Sequence, residues 1–577
     1  MRTQPRTLPL VILLALSFLP ASSAGPSPEP VPLLANPSFE EGALGDNVPG
    51  WTRLGWDGKS HDVDFRLISA DGGRTGARKA VIERGSLSWA LIEQFVPLEV
   101  DTARAAVFII WMRCDTPIDK VGINLYVTPA GREQGGVHTA RTEVQVGSEW
   151  KQYRIVLDFG TAVESNQWGG VNLRPMVQLY SPVDRLELDD ASLSIVPREE
   201  AGLGPIPKRL LEGCLPLSYE VSLLPLTDGA MALFHDTGEA IGVRKSYDAG
   251  QSWGLNEPLR TSEGKTLSGW SPTTLRLKSG KIGLFFNRGE RELYFTRSDD
   301  DGKTWLPARQ VNDRGRVARM FNGSATVLST GRIVGPTYYY LDDWYGRGET
   351  NTPGPQTSTY CWLSDDEGET WHHGQEAVLM HDGKRFWFEE GSVVELADGR
   401  VLMLARTPVG RLFKSYSSDG AETWSDPEPT PLAAAYAPCA SARMPDGNLL
   451  AIWNQNSLEE DLIGLRRHRL TCAVSEDDGN TWKHFRNLEG LDDRAFFPDR
   501  PLNWDVFSYN HEAPYRQPED RALYPHVPGP LRCAYPAVAF AGKTAVIAYD
   551  YGAAVGVFDQ AYVRTRSLPL EWFYENP

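Results

Sequence analysis

The sequence predicts an all-β protein, with an N-terminal β-sandwich of jelly-roll type followed by a six-bladed β-propeller. Three observations carry this expectation. A strand, a turn containing Gly and a second strand recur six times from about residue 205 to the C-terminus. A Ser-x-Asp-x-Gly-x-Thr-Trp segment follows five of those six hairpins. No convincing amphipathic helix interrupts the alternating apolar runs of the N-terminal region. The 577 residues leave room for more than one domain, and 54 Gly and 41 Pro suit many short strands joined by turns.

The first 24 residues read as an export signal. Arg2 and Arg6 give a positive start, Leu8 to Leu19 an apolar run too short to span a bilayer, and Ser22-Ser23-Ala24 a small-residue cleavage site. The expectation is a secreted or periplasmic protein cut near Ala24, with no membrane insertion. The net charge is −17, and removal of two Arg with the leader leaves −19. That balance argues against nucleic acid as the main partner. It leaves room for a small anionic ligand held by a few local Arg. The six Cys are scattered without metal-ligand spacing, so disulfides and buried thiols stay equally open.

Residues 32–197 form the first region. It opens with Asn36-Pro37-Ser38-Phe39-Glu40, continues to Pro49-Gly50-Trp51, and closes with Leu188-Asp189-Asp190-Ala191-Ser192-Leu193. Ala105–Met112, Val121–Val127 and Tyr153–Leu157 alternate as strands do. The region resembles the jelly-roll carbohydrate-binding modules appended to secreted glycosidases. A sugar binder and a structural spacer are both open. Residues 198–207, with two Pro and two Gly, read as a linker.

The propeller region, 208–577, contains hairpins at Tyr219–Phe234, Trp270–Phe286, Phe321–Tyr338, Glu389–Arg406, Pro438–Asn454 and Tyr535–Tyr549. Turns such as Asp228-Gly229, Asp398-Gly399 and Asp446-Gly447 are strong hairpin signals. The following motif spans Ser246–Trp253, Ser298–Trp305, Ser364–Trp371, Ser417–Trp424 and Ser475–Trp482. Its Ser and Asp can bond the turn's own amides, Gly permits positive φ, and Trp can pin the turn to the blade. Five copies of one pattern point to scaffolding. A calcium loop is excluded because Glu is missing at the twelfth loop position. Insertions at about 341–358 and 487–531 are expected on the rim of the pocket. Pro205–Leu217 is a candidate for the strand that closes the ring.

These motifs are similar to the Asp boxes of the sialidase superfamily, over about 370 residues. The resemblance implies a hydroxyl nucleophile from Tyr activated by Glu, Arg residues that bind a substrate carboxylate, and an Asp acid. The segment Glu390-Gly391-Ser392 through Leu404-Ala405-Arg406 resembles the family's Glu/Arg blade. Glu390 is the expected base partner and Arg406 a carboxylate binder, placed opposite each other on the hairpin. Glu389 is the alternative if the register slips. Cys533-Ala534-Tyr535-Pro536 resembles the nucleophile segment, giving Tyr535. Arg467, just before the last Asp box, is a further carboxylate binder. Where the family begins blade one with Arg, this chain has Glu220; Arg244, Arg288 and Arg319 are candidate substitutes. Asp236 is the expected acid, with Asp342 or Asp343 as alternatives.

The resulting expectation is a retaining exo-α-sialidase-like glycoside hydrolase acting on terminal sialic acid of glycoconjugates, with no cofactor. Two alternatives stay open: a propeller exo-glycosidase or lyase on a uronic or neutral sugar, motivated by Glu220, and a glycan-binding propeller without catalysis. No metalloprotease, P-loop or dinucleotide motif is present.

Overall fold

Apolar alternation folds the N-terminal part into two facing antiparallel sheets in a computed structural model. It describes residues 33–575 except 45–47, 57–65, 84–88, 130–137, 163–170, 181–184, 204–210, 218–219, 239, 290–291, 313–317, 322–323, 341–356, 463–465, 491, 505–528 and 556–557. The expected export signal, Asp342 and Asp343 lie outside the described residues. One sheet orders Thr52–Trp56, Trp89–Glu93, Val171–Leu179, Ile118–Pro129 and His138–Val146, with Val96–Leu98 beside the third. The other orders Arg66–Asp71, Arg78–Glu83, Leu186–Pro197, Arg104–Arg113 and Lys151–Asp158. Phe108, Ile110, Ile123, Leu125, Leu157 and Leu173 are completely buried between them. Each such side chain contributes roughly 1.5–3 kcal/mol.

The opening and closing motifs of this region meet. The Ala191 amide donates to the Pro37 carbonyl at 2.7 Å. Asn36 Oδ1 accepts from the Glu41 amide at 3.0 Å, and Phe39 stacks on Trp51 at 5.4 Å between centroids. Both motifs therefore tie the ends of the sandwich together. Residues 198–203, the first part of the expected linker, pack onto it: Arg198 grips both carboxylate oxygens of Asp158 at 2.7 Å, and Arg154 donates to the Ala201 carbonyl.

Among the described residues, six four-stranded antiparallel sheets follow. Their innermost strands are Val221–Pro225, Trp270–Arg276, Thr326–Val327, Glu389–Glu395, Ala440–Arg443 and Gly529–Ala541. Each neighbours the next, and the last neighbours the first, so the sheets close into a β-propeller. A cavity of about 370 Å³ lies among these strands, lined by Ser222, Thr274, Thr326, Ser441 and Ala537. Hydroxyl pairs Ser222–Thr274 at 2.7 Å and Ser392–Ser441 at 2.9 Å link neighbouring inner strands. In the last sheet the outermost strand is Cys214–Leu215, paired with Phe558–Pro569. The ring thus closes by joining sequence from before the first sheet to the C-terminal strand.

The Asp boxes act as self-bonded turns. In Ser298–Trp305, Asp300 accepts the Ser298 hydroxyl at 2.8 Å, the Thr304 amide at 2.8 Å and the Thr304 hydroxyl at 2.7 Å, while the Gly302 amide donates to Ser298 Oγ. Gly302 sits at φ 89°, where a Cβ would be strained. Several box Trp side chains reach the preceding sheet, not only their own. Trp253 Nε1 donates to Thr565 in the last sheet, and Trp371 packs on Phe285 and Phe295 of the second. Each box is therefore also a joint between sheets.

All six Cys are free and buried, which settles the open choice toward thiols. Among the described residues no helix is long and apolar enough to cross a membrane.

Candidate active site

Three inner strands carry the same irregularity, at the first residues of Trp270–Arg276 and Glu389–Glu395 and midway along Gly529–Ala541. The ladder shifts between Trp270 and Thr273, between Glu389 and Ser392, and between Ala534 and Ala537, each time by one extra residue on the inner strand. The residue inside each bulge has left-handed φ: Ser271 at 52°, Glu390 at 49° and Tyr535 at 52°. For non-glycine residues this costs on the order of 1–2 kcal/mol. Bulges re-aim side chains, and these three re-aim theirs at one end of the ring.

The bulge corrects one expectation. Counting residues places Arg406 opposite Glu390, but the ladder pairs it with Glu389, because the extra residue is absorbed before Ser392. Arg406 therefore meets both carboxylates. Its Nε and Nη2 donate to Glu389 Oε1 at 3.1 and 2.7 Å, and its Nη1 lies 2.7 Å from Glu390 Oε2. The guanidinium stacks 4.2 Å above the Tyr436 ring, and the Tyr436 hydroxyl donates to Glu389. All three charged side chains are buried. Tyr436 carried no sequence signal, since it lies in the connection from the outer strand of the fourth sheet to the fifth.

Tyr535 reaches this cluster from the last sheet. Its hydroxyl donates to Glu390 Oε1 at 3.5 Å, the outer limit of a hydrogen bond. Arg467 lies 5.3 Å from the centre of the Tyr535 ring. The Cys533 amide donates to the Arg467 carbonyl at 2.6 Å, which fixes that loop against the strand that carries Tyr535. The neighbouring arginines serve elsewhere. Arg466 pairs with Asp461, and buried Arg469 pairs with Glu460 and Asp492.

Glu220 stands at the start of the first inner strand, between the second and last sheets. It is 9% exposed, and its Oε2 has no hydrogen-bond partner among the described residues. Of the three candidate substitute cations, Arg319 is the one whose charge opposes the rise at Glu220 most. Its guanidinium lies 5.7 Å from the centre of the Trp270 ring. Arg244 donates to the Gly254 carbonyl, and Arg288 to that of Ser268. Asp236 ends the strand that pairs with Val221–Pro225, so it lies beside Glu220, and its Oδ1 accepts the Gly238 amide at 2.6 Å.

Burial sets the protonation pattern. It pushes the Glu220 carboxyl up to about 8; Glu390 and Asp236 add to the rise, while the Ser271 hydroxyl and Arg319 oppose it. Glu390 is also raised by burial and by Glu389, against the pull of Arg406, Arg467 and the Tyr535 hydroxyl. Asp236 is raised by burial, against the Gly238 amide. The Tyr535 phenol is raised by burial and by Glu390 and Glu220, with Arg467 and Arg406 opposing. Tyr535 is therefore neutral at rest and needs a base to become a nucleophile.

The insertion after the fifth sheet is described to residue 504. Arg500 bonds the Asn456 and Ser457 carbonyls, and Arg411 donates to the Pro498 and Arg500 carbonyls. These partners follow the strands ending at Asn454 and Arg406, which puts the segment on the same face as the cluster. Among the described residues no group of three or more His, Cys, Asp or Glu is arranged to hold a metal ion.

Comparison with known proteins places the chain in a family. The family model for a BNR repeat-like domain matches residues 232–546, more than half of the chain. A sialidase from Paraclostridium sordellii is 28% identical over 250 residues, covering 36% of this chain and 57% of that protein. The chain thus aligns with little more than half of that relative's length. A Dyadobacter fermentans protein of unknown function shares 17% identity, with a TM-score of 0.43 over 62% of this chain and 96% of the other. The NanB sialidase of Streptococcus pneumoniae shares 12% identity, with a TM-score of 0.41 over 81% and 95%. The chain belongs to the BNR repeat-like family, within the sialidase superfamily.

Proposed function

We propose that this chain is a retaining exo-glycosidase with sialidase-type chemistry, in which Tyr535 is the nucleophile and Glu390 its base. The observation that carries the reading is the Tyr535–Glu390 contact, made by two bulged residues from different sheets. Glu390 takes the phenolic proton as the oxygen attacks the anomeric carbon. Asp236 gives a proton to the departing oxygen, and in the second step takes one from the water that cleaves the glycosyl-tyrosine bond. A neutral nucleophile suits this site, because another ionised carboxyl beside Glu389 and Glu390 would add like charge. Arg467 and Arg406 are the cations available to a bound sugar, with Arg406 already shared by two glutamates. The N-terminal sandwich would hold the enzyme near its glycan after export.

Terminal sialic acid is the first substrate to assay, given the family. A different sugar is the second reading, favoured by Glu220 in the pocket. The test of the chemistry is common to both. On an activated aryl glycoside that wild type cleaves, Tyr535→Phe should lose at least about 10³-fold in kcat while its melting temperature stays close to wild type. A 2-fluoro glycosyl fluoride should label Tyr535, identified by peptide mass. Labelling of another residue, or full activity in the Phe variant, would remove Tyr535 from the mechanism.

A further inference from the structure

We infer that Glu220 selects the sugar: this pocket takes a neutral glycoside, one of whose hydroxyls is bound by the Glu220 carboxyl, in preference to a sugar bearing a carboxylate. The inference rests on the glycosidase reading for its site but not for its test. Glu220 comes from the first inner strand, flanked by the strands that carry Ser271 and Tyr535. Ser271 lies beside its carboxyl, and Oε2 is buried without a hydrogen-bond partner among the described residues, as are Oε2 of Glu389 and Glu390. An orphaned buried carboxyl oxygen is costly unless a ligand completes it.

Charge decides what that ligand can be. The groups facing Glu220 are Ser271, Glu390, Asp236 and Tyr535, with Arg319 the cation. Among the described residues, Glu220, Asp236, Glu389 and Glu390 stand against Arg319, Arg406 and Arg467, and with the Glu220 carboxyl protonated the other three acids balance the three guanidiniums. All three donor nitrogens of Arg406 are engaged by Glu389 and Glu390. Arg319 faces Glu220, which leaves Arg467 as the remaining cation. A carboxylate-bearing sugar would add a negative charge beyond that balance, with Arg467 the one of these guanidiniums left to receive it. A hydroxyl brings none. The carboxyl of Glu220, pushed up to about 8 chiefly by burial, keeps its proton at neutral pH. It can therefore both donate to and accept from a sugar hydroxyl. The neighbouring Ser271 is fixed by donating to the Met320 carbonyl at 3.0 Å, so the position of the carboxyl is preset.

Binding measurements test this without turnover. Calorimetric titrations of wild type and of Tyr535→Phe would use free N-acetylneuraminic acid, glucuronic and galacturonic acids, and a panel of neutral hexoses, deoxyhexoses and N-acetylhexosamines. The expected result is that at least one neutral sugar binds more tightly than every acidic one. Glu220→Ala should weaken that sugar at least tenfold, and Glu220→Gln, which keeps an N–H donor, should recover most of the loss. Glu220→Arg should shift the preference toward the acidic sugars. An acidic sugar that binds wild type best, no neutral sugar bound, or a Glu220→Ala affinity equal to wild type each overturns the inference. A neutral-sugar preference with no glycoside cleaved would instead leave the inference standing and sink the catalytic reading.

Discussion

The outer turns and the inner strand ends of the propeller are built on opposite principles. At the turns, five copies of one motif satisfy the central Asp carboxylate locally, as Asp300 does with Ser298 and Thr304. Burial raises the Asp300 carboxyl a little, but those bonds hold it below the usual carboxylate range. At the inner ends the residues differ from sheet to sheet. The Glu220 and Glu390 carboxyls are buried and raised, one oxygen each of Glu220, Glu389 and Glu390 lacks a hydrogen-bond partner among the described residues, and Ser271, Glu390 and Tyr535 have left-handed φ. Repetition marks what holds the ring, and buried, raised carboxyls that change from sheet to sheet mark what it is for; left-handed φ occurs in both, at Ala249, Asp301, Glu367, Ala421 and Asp478 in the boxes.

The largest test of that contrast concerns Arg406. Replacing it with Leu strands Glu389 and Glu390 together in the interior. Breaking a buried pair from one side costs about 3–5 kcal/mol. The expected outcome is a large fall in the propeller's thermal transition, partly restored when Glu389→Gln is added. A variant as stable as wild type would mean that these carboxyls do not depend on the guanidinium for their burial.

A smaller effect, visible as pH dependence, comes from Glu220. Its folded-state carboxyl is raised to about 8 from an ordinary 4.5. Between these values the unfolded chain gives up the proton while the folded protein keeps it. Stability is therefore lost as pH rises through this window, and the loss levels off above the folded value. Glu220→Gln removes the titration. The melting temperature of the variant minus that of wild type should be flat below pH 4.5, grow by several degrees up to about pH 8, then level off. A difference independent of pH from 4 to 9 would show that Glu220 is ionised in the folded protein.

How much of this could be read from the sequence follows the same divide. The Asp boxes and hairpin turns were legible because each is a short local pattern repeated in phase. Glu390 and Tyr535 were legible as strand ends, since counting back from Gly399 and Gly542 puts both near one rim. The bulges were not, because one inserted residue leaves no mark on alternation yet changes which side chain faces which. That is why Arg406 was set against Glu390 and its bond to Glu389 was held only as the alternative. Tyr436 was out of reach because nothing local encodes its partners Glu389 and Arg406, and Arg319 was one of three candidates among which nothing local selects. The box Trp was read as packing on its own blade, whereas Trp253 and Trp371 reach the one before.

The smallest effect belongs to the turns, and it separates scaffold from site. Asp300→Ala removes three hydrogen bonds from an exposed turn whose amides can turn to water. Bonds of this kind contribute about 1 kcal/mol each at most, and less where water substitutes. The joint survives, because Trp305 stays buried against Phe234 of the preceding sheet and the adjacent Asp301 still accepts from Thr227 and pairs with Arg276. The expected outcome is a fall of a few degrees in melting temperature, with kcat and KM on any cleaved glycoside within twofold of wild type. A loss of activity much larger than the loss of stability would mean that the boxes take part in the chemistry, and the contrast between turn and strand end would then fail.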